Sequence, residues 1–317
     1  MRSLLQLIFA LLLVSSSCYA GPISFEPFLG KLSPQKFTPK YSAQDYLSVG
    51  IRNLEHQNYH RASLCFRMIT HHFPKDPLYS EALYLTGVCY FKRDQPDLAN
   101  KVFSLYMELP DAKYSEELFS MKLAIAQSFA QGKRKRIFLL EGFPKLMNAD
   151  EDALRIYDEI LAAFPHKDLG AQALYFKGDL LIMRKELAEA TKVFKKLTLQ
   201  FPQHSLSPKA FVRLSEIYLI QAKKEDHNAQ YLKLAKMNEE AMRKQHPNHP
   251  LNAVVSSNVR IMNDLYASGL YHSGRFYEKK KKLRAASIYY TTAVETYPDS
   301  PFVAKCLKRL DRIAKHS

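Results

Sequence analysis

The sequence predicts an all-α chain, a superhelical array of about five to six helical hairpins behind a cleaved N-terminal signal, and three observations carry that prediction. A register of Gly, an Ala twelve residues on, an aromatic four later and a Pro about eight beyond recurs four times. The copies are Gly50/Ala62/Phe66/Pro74, Gly87/Ala99/Phe103/Pro110, Gly178/Ala190/Phe194/Pro202 and Gly274/Ala286/Tyr290/Pro298, the last interval one residue short at Pro110. Glycine is scarce, 10 in 317 residues, so four on one register is not a chance arrangement. Apolar residues around the anchors recur at three and four, the period of an amphipathic helix. Finally, 47% of residues are apolar, which excludes wholesale disorder. After residue 20, however, no stretch approaches the roughly 20 apolar residues of a bilayer-spanning helix.

Residues 1–20 read as a secretory signal, with Arg2 supplying charge and residues 4–14 forming an apolar run too short to span a membrane. Two cleavage readings stand. Cys18 follows Ser15-Ser16-Ser17 after a Leu-rich core, in the manner of a bacterial lipobox, although Ser at the third position before the Cys departs from the usual Leu. Alternatively, Cys18-Tyr19-Ala20 presents a small residue ahead of Gly21 for ordinary cleavage. On the first reading Cys18 is the lipid attachment site and the acyl chains anchor the protein. Residues 21–40, with Pro22, Pro27, Pro34 and Pro39 before any helical period, are expected to form an extended tether reaching on the order of 70 Å.

Residues 41–130 form an N-terminal half. In its first hairpin Leu47, Ile51 and Leu54 lie on one helix face, answered by Ala62, Cys65, Phe66 and Ile69 on the next. A Gly in the first helix and an Ala in the second leave room for the backbones to approach while the aromatic fills the space beside them, and the Pro stops the second helix. The anchors Gly50, Ala62, Phe66, Gly87, Ala99, Phe103, Gly178, Ala190, Phe194, Gly274, Ala286 and Tyr290 are therefore assigned to repeat packing. Residues 114–130 read as one further helix. Residues 131–152 form an irregular linker. Within it, residues 132–148 carry Gly142, Pro144 and a basic run and read as a long loop or broken helix. Residues 153–317 form a C-terminal half. Ala153, Tyr157, Ile160 and Pro165 mark a degenerate second helix, and the third clear copy follows. Phe211, Leu214 and Tyr218 mark a degenerate first helix, residues 223–228 a polar insertion, and residues 231–244 a resumed helical period closed by Pro247 and Pro250. The fourth copy and a helical tail over residues 301–315 complete the chain.

The hairpin register resembles the tetratricopeptide repeat of about 34 residues. That resemblance implies a concave surface lined by the first helices, on which Leu47, Leu54, Tyr84, Phe91, Tyr175, Met183, Tyr271 and Arg275 would lie. Leu47 and Leu54 read mainly as packing. The tyrosines, whose hydroxyls need water or a partner, read as binding residues, so the site assigned to peptides or partners is Tyr84, Phe91, Tyr175, Met183, Tyr271 and Arg275.

No GxSxG, HExxH, phosphate-binding glycine loop or CxxC is present. His71-His72 and His246/His249 lie at repeat ends next to prolines, without an organised Cys or carboxylate partner, and read as solvated turn residues. Asp158/Glu159 and Glu239/Glu240 are adjacent in sequence and point to different parts of a helix surface, which argues against paired acid and base work. The sequence thus predicts no catalytic residue, no metal and no cofactor. Cys65, Cys89 and Cys306 read as buried small hydrophobes, with a Cys65–Cys89 disulfide as the alternative for an exported chain.

The formal charge is +15, concentrated at Lys133-Arg134-Lys135-Arg136 and at Lys279-Lys280-Lys281-Lys282 with Arg284. Two readings stand for these runs, solvated helix ends and loops, or attraction to an acidic partner or anionic lipid, the latter assigned to Lys279–Lys282. No nucleic-acid signature accompanies the charge.

Signal, possible acylated Cys, proline-rich tether and helical hairpins together resemble the BamD family of outer-membrane lipoproteins. The local match is strongest from Tyr46 to Pro77 with Tyr79-Ser80-Glu81-Ala82, and from Leu270-Tyr271-His272-Ser273-Gly274-Arg275-Phe276-Tyr277 to Tyr297-Pro298-Asp299-Ser300-Pro301. The resemblance implies a non-enzymatic scaffold at the periplasmic face of the bacterial outer membrane. Its C-terminal repeats would contact a barrel-assembly subunit, and its N-terminal repeats would receive segments of unfolded barrel clients. The alternative is an unanchored periplasmic adaptor or chaperone for cell-envelope or secretion machinery.

Overall fold

The computed structural model describes residues 24–26, 31–33, 39–113, 115–139, 141–224 and 229–316. Cys18 and both cleavage readings lie outside these residues, as does most of the tether. Two of the tether's segments, β1 (Ser24–Glu26) and β2 (Lys31–Ser33), pair antiparallel with Glu26 opposite Lys31. The expected single extended stretch is therefore interrupted by a short hairpin.

The rest is helical, with thirteen α-helices among the described residues. They run α1 (Ala43–Glu55), α2 (Tyr59–His72), α3 (Tyr79–Lys92), α4 (Pro96–Met107), α5 (Glu116–Ala130), α6 (Asp150–Ala163), α7 (Asp168–Met183), α8 (Leu187–Gln200), α9 (Ser207–Lys224), α10 (Gln230–Gln245), α11 (Asn252–Lys279), α12 (Leu283–Thr296) and α13 (Phe302–His316). No described helix is long and apolar enough to cross a membrane. The chain divides into two units, residues 1–153 and 154–317.

In unit 1 the array begins at a capping box. The Ser42 hydroxyl accepts the Asp45 amide, and the Asp45 carboxylate accepts the Ser42 amide, satisfying two groups at the start of α1. Leu47, Ala62, Phe66, Ile69, Ala82 and Cys89 form the core of the first hairpins. Unit 2 has one cluster built on Leu174, Phe194, Leu214, Tyr218 and Met262 and another on Ala286, Tyr290, Cys306 and Ile313. Here α13 covers the last hairpin, taking the place a further repeat would fill.

The anchors pack by a mechanism simpler than the expected meeting of two small residues. The aromatic ring itself stands where a side chain on the glycine would be. A Cβ on Gly50 would lie 2.5 Å from Phe66 Cε1, on Gly87 2.5 Å from Phe103 Cε1, on Gly178 2.5 Å from Phe194 Cζ, and on Gly274 2.4 Å from Tyr290 Cε1. All four rings and all four anchor alanines are fully buried. Each ring contributes on the order of 1.5–3 kcal/mol of burial that any larger residue at the glycine would displace.

A second regularity lies in the turns. Gln57, Asp94, Lys185 and Lys281 have φ of 59°, 55°, 64° and 57°. Each falls seven residues after its anchor glycine and five before its anchor alanine. The bonds are those of a Schellman motif. In the second hairpin the Asp94 amide donates to the Phe91 carbonyl and the Gln95 amide to the Tyr90 carbonyl. Lys185 and Glu186 repeat this with Ile182 and Leu181, and Lys281 and Lys282 with Glu278 and Tyr277. Helix α5 ends in the same way on Gly132, at φ 95°.

After Gly132 the chain departs from the expected loop or broken helix. β3 (Lys135–Arg136), a 3-10 turn (Ile137–Leu139) and β4 (Lys145–Met147) form a small antiparallel insertion. Ala153, Tyr157 and Pro165 on and after α6 then resume the Ala, aromatic and Pro spacing. In unit 2 the second irregular repeat keeps the spacing at Ala235 and Pro247 but has Glu239 where the ring belongs.

Candidate functional site

Three of the first helices carry a Tyr three residues before the anchor glycine: Tyr84 on α3, Tyr175 on α7 and Tyr271 on α11. Each is half-buried and lies on the anchor ring of its own hairpin. The centroid separations are 6.1 Å for Tyr84 and Phe103, 5.9 Å for Tyr175 and Phe194, and 6.0 Å for Tyr271 and Tyr290. One part of each ring therefore extends the core and the remainder stays accessible. Leu47 holds the equivalent position on α1 and is buried.

In unit 1, Tyr84 also touches Tyr106, and burial pushes its phenol up, helped by the nearby Glu117 carboxylate. Phe91 lies two turns further along α3 and is partly exposed. In unit 2, Tyr175 borders a charged group that the sequence reading did not single out. Arg213 on α9 reaches Asp179 on α7 at 2.8 Å and Glu216 at 3.0 Å. Burial raises the Asp179 carboxyl despite the guanidinium, and burial with the Asp179 charge raises the Tyr175 phenol. Met183 at the end of α7 is 63% exposed, a soft apolar contact beside this charged group's own helix. Arg275 follows Gly274 and is partly exposed, and Tyr271, which stays partly exposed, also lies 5.8 Å from Phe302 of α13. The six residues do not form one cluster. They fall on three separate hairpins, with two of the residues in unit 1 and four in unit 2.

The first basic run is not a free surface. Arg136 gives its amide to Asp97 Oδ2 at 2.9 Å and its guanidinium to Asp97 Oδ1 at 2.6 Å, and the Asp97 side chain is fully buried at the start of α4. Lys133 pairs with Asp94 and Lys135 with Asp152. Glu141, from the same insertion, joins Arg67 at 2.7 Å and Arg93 at 2.9 Å. Burial opposes the Glu141 charge, but the two guanidiniums outweigh it and hold the carboxyl below its ordinary value. The reading of residues 133–136 as a surface for an acidic partner or lipid is therefore corrected. Three of the four cations pair with Asp94 in the turn between α3 and α4, Asp97 at the start of α4 and Asp152 on α6, charge-assisted bonds that help hold the short insertion.

Lys279–Lys282 differ. All four are exposed, as is Arg284, and Lys280 lies 5.8 Å above the ring of Phe276, itself 56% exposed. The cysteines Cys65, Cys89 and Cys306 are free thiols rather than a disulfide, and burial pushes Cys89 up to about 12. Two turn histidines make specific contacts rather than being merely solvated. His204 Nε2 lies 2.7 Å from Asp168, and His249 Nδ1 accepts the Leu251 amide.

Two stretches match models of the tetratricopeptide repeat, residues 81–111 and residues 151–205. No curated protein matches the sequence. Among solved structures, similar chains include MamA from Desulfovibrio magneticus, at 17% identity over 64% of this chain and 97% of that one, with a TM-score of 0.35. A tetratricopeptide repeat protein from Parabacteroides merdae matches at 13% identity over 86% and 98%, with a TM-score of 0.39. Pseudomonas aeruginosa PilF matches at 12% identity over 87% and 97%, with a TM-score of 0.30. The hairpins of this chain are tetratricopeptide repeats, the fold of a protein-interaction scaffold.

Proposed function

We propose that this tetratricopeptide-repeat protein is a non-enzymatic scaffold of outer-membrane β-barrel assembly, lipid-anchored through Cys18 at the periplasmic face. The observation that carries the reading is the recurring half-buried Tyr of the first helices, which offers a rigid aromatic edge at one register position in three hairpins. Such edges suit an extended or helical partner segment, and the resemblance to the BamD family supplies the kind of partner. Barrel-assembly subunits would engage the last repeats through Tyr271 and Arg275. Unfolded client segments would engage the first through Tyr84 and Phe91, with Tyr175 and Met183 continuing the surface in unit 2. The exposed Lys279–Lys282 turn would lie against anionic headgroups of the membrane that holds the anchor.

The test is affinity purification of the native protein from envelopes. Recovery of a barrel-assembly subunit, lost on combined Tyr271→Ala and Arg275→Ala substitution, supports the reading, and recovery of none overturns it. One sequence observation favours a second reading, the Ala20-Gly21 junction suited to ordinary cleavage. Mass spectrometry of the mature N-terminus separates the two. An acylated Cys18 supports the anchored scaffold, and a free Gly21 supports an unanchored periplasmic adaptor or chaperone.

A further inference from the structure

Within unit 2 a polar cleft of about 400 Å³ lies between α10, the first half of α11 and the turn that follows α12. Two features of the sequence create it. Helix α11 is twice the length of its counterparts, so its first half extends past the last hairpin. In addition, the position in α10 that carries a buried ring elsewhere carries Glu239, which is turned to Ser256 at 2.6 Å and Arg243 at 2.7 Å. Glu239 thereby faces α11 and lines the cleft with charge. The cleft falls in the size range of ligand pockets, and it is separate from Tyr271, Arg275 and the other aromatic edges.

Part of its lining is unspent: among the described residues, Lys236, Arg260, Asp264 and Asp299 on the walls form no ion pair with one another. The Arg260 and Asp264 side chains, one turn apart on α11, are spaced for a mutual salt bridge and do not make one. Asn263 between them has a buried Oδ1 without a donor, an arrangement that is unfavourable until an N–H fills it. The ligand that satisfies this set carries an anion for Lys236 and Arg260, a cation for Asp264 and Asp299, and an N–H for Asn263.

We infer that the cleft binds an extended peptide segment with an acidic and a basic side chain two residues apart. The spacing decides the class. Four residues of helix separate the Arg260 and Asp264 positions by about 6 Å. Side chains at alternate positions of an extended chain lie about 6.6 Å apart, with a backbone amide between them. This site is independent of barrel assembly and of the anchor.

The experiment is an amide-resolved NMR titration of the full mature chain with the capped tripeptide Ac-Glu-Ala-Lys-NH2, with Ac-Gln-Ala-Gln-NH2 as the uncharged comparison. The expected result is saturable shifts confined to signals of the cleft, including the Asn263 side-chain amide. Binding should weaken about tenfold in Arg260→Gln and in Asp264→Asn and stay unchanged in Lys195→Gln, an exposed position on α8 outside the cleft. Circular dichroism of each variant guards against misfolding, since both substituted groups lie on the cleft wall and support no core contact. The inference is overturned if no saturable shift occurs up to about 10 mM peptide, if the uncharged peptide binds equally, or if the two cleft variants bind as the parent does.

Discussion

Replacing Gly178 by Ala should destabilise the protein, against the ordinary behaviour of a helical glycine. In an open helix the substitution gains about 1 kcal/mol, because Ala loses less backbone freedom on folding. Here the new methyl would sit 2.5 Å from Phe194 Cζ, 2.7 Å from Cε2 and 2.8 Å from Cε1. Carbon atoms rest at about 3.5–4.0 Å, so the ring has to withdraw by about 1 Å. Phe194 is fully buried among Leu174, Leu181 and Leu197, and the displacement passes into that cluster. Overpacking of this kind costs about 1–3 kcal/mol, and subtracting the propensity gain leaves a net loss of about 0–2 kcal/mol. The more decisive quantity is the coupling. Phe194→Leu opens a cavity by itself, and in the double variant the Ala methyl occupies part of it, so the two losses should fall short of their sum by about 1 kcal/mol or more. Urea unfolding of parent, single and double variants followed by helical circular dichroism measures the cycle. A Gly178→Ala variant more stable than the parent by about 1 kcal/mol, with additive behaviour alongside Phe194→Leu, would refute the ring-on-glycine account.

Other expectations follow from the turns and the insertion. Lys185→Gly should stabilise by about 0.5–1 kcal/mol, because φ of 64° suits Gly and strains Lys, whereas Lys192→Gly inside α8 should destabilise by about 1 kcal/mol; urea midpoints compare them. Asp97→Ala leaves the Arg136 guanidinium without its carboxylate, at a cost of about 3–5 kcal/mol, and hydrogen exchange should show the Arg136 amide losing protection. Glu141 has a folded-state pKa below its unfolded value of 4.5, so its contribution is complete above that pH and is lost as pH falls through the folded value. Stability measured in acid should therefore fall less steeply in Glu141→Gln than in the parent. Cys89, fully buried with its thiol pushed up to about 12, should resist iodoacetamide in the native state, and equal native labelling of Cys65 and Cys89 would contradict its placement.

The anchors were legible because packing at those sites leaves almost no chemical choice: only Gly admits the ring, and only a ring fills the space at Gly50, Gly87, Gly178 and Gly274. The turns obey an equally strict backbone rule but hide it. A single left-handed residue is tolerated by Gln57, Asp94, Lys185 and Lys281, a Gln, an Asp and two Lys with no common signature, and Gly132 alone announces the motif. Gly170 was missed for the opposite reason. It stands outside the register, yet a Cβ there would meet the Phe164 carbonyl oxygen at 2.2 Å. The insertion at residues 135–147 escaped notice because its strands are two and three residues long and owe their place to Asp97, Arg67 and Arg93, far away in sequence. The tyrosine positions could be read from the register, whereas their contact with the anchor rings could not. Nor could the cleft, which depends on the length of α11 and on Glu239 reaching across to Ser256.

The proposal of a barrel-assembly scaffold is tested most directly by quantitative affinity purification of the native chain and its Tyr271→Ala/Arg275→Ala variant from envelopes of the source cells. The account predicts that the parent recovers a barrel-assembly subunit and that the folded variant, matched to it by circular dichroism, recovers several-fold less. A parent that brings down no such subunit, or a variant that brings down as much, would contradict it.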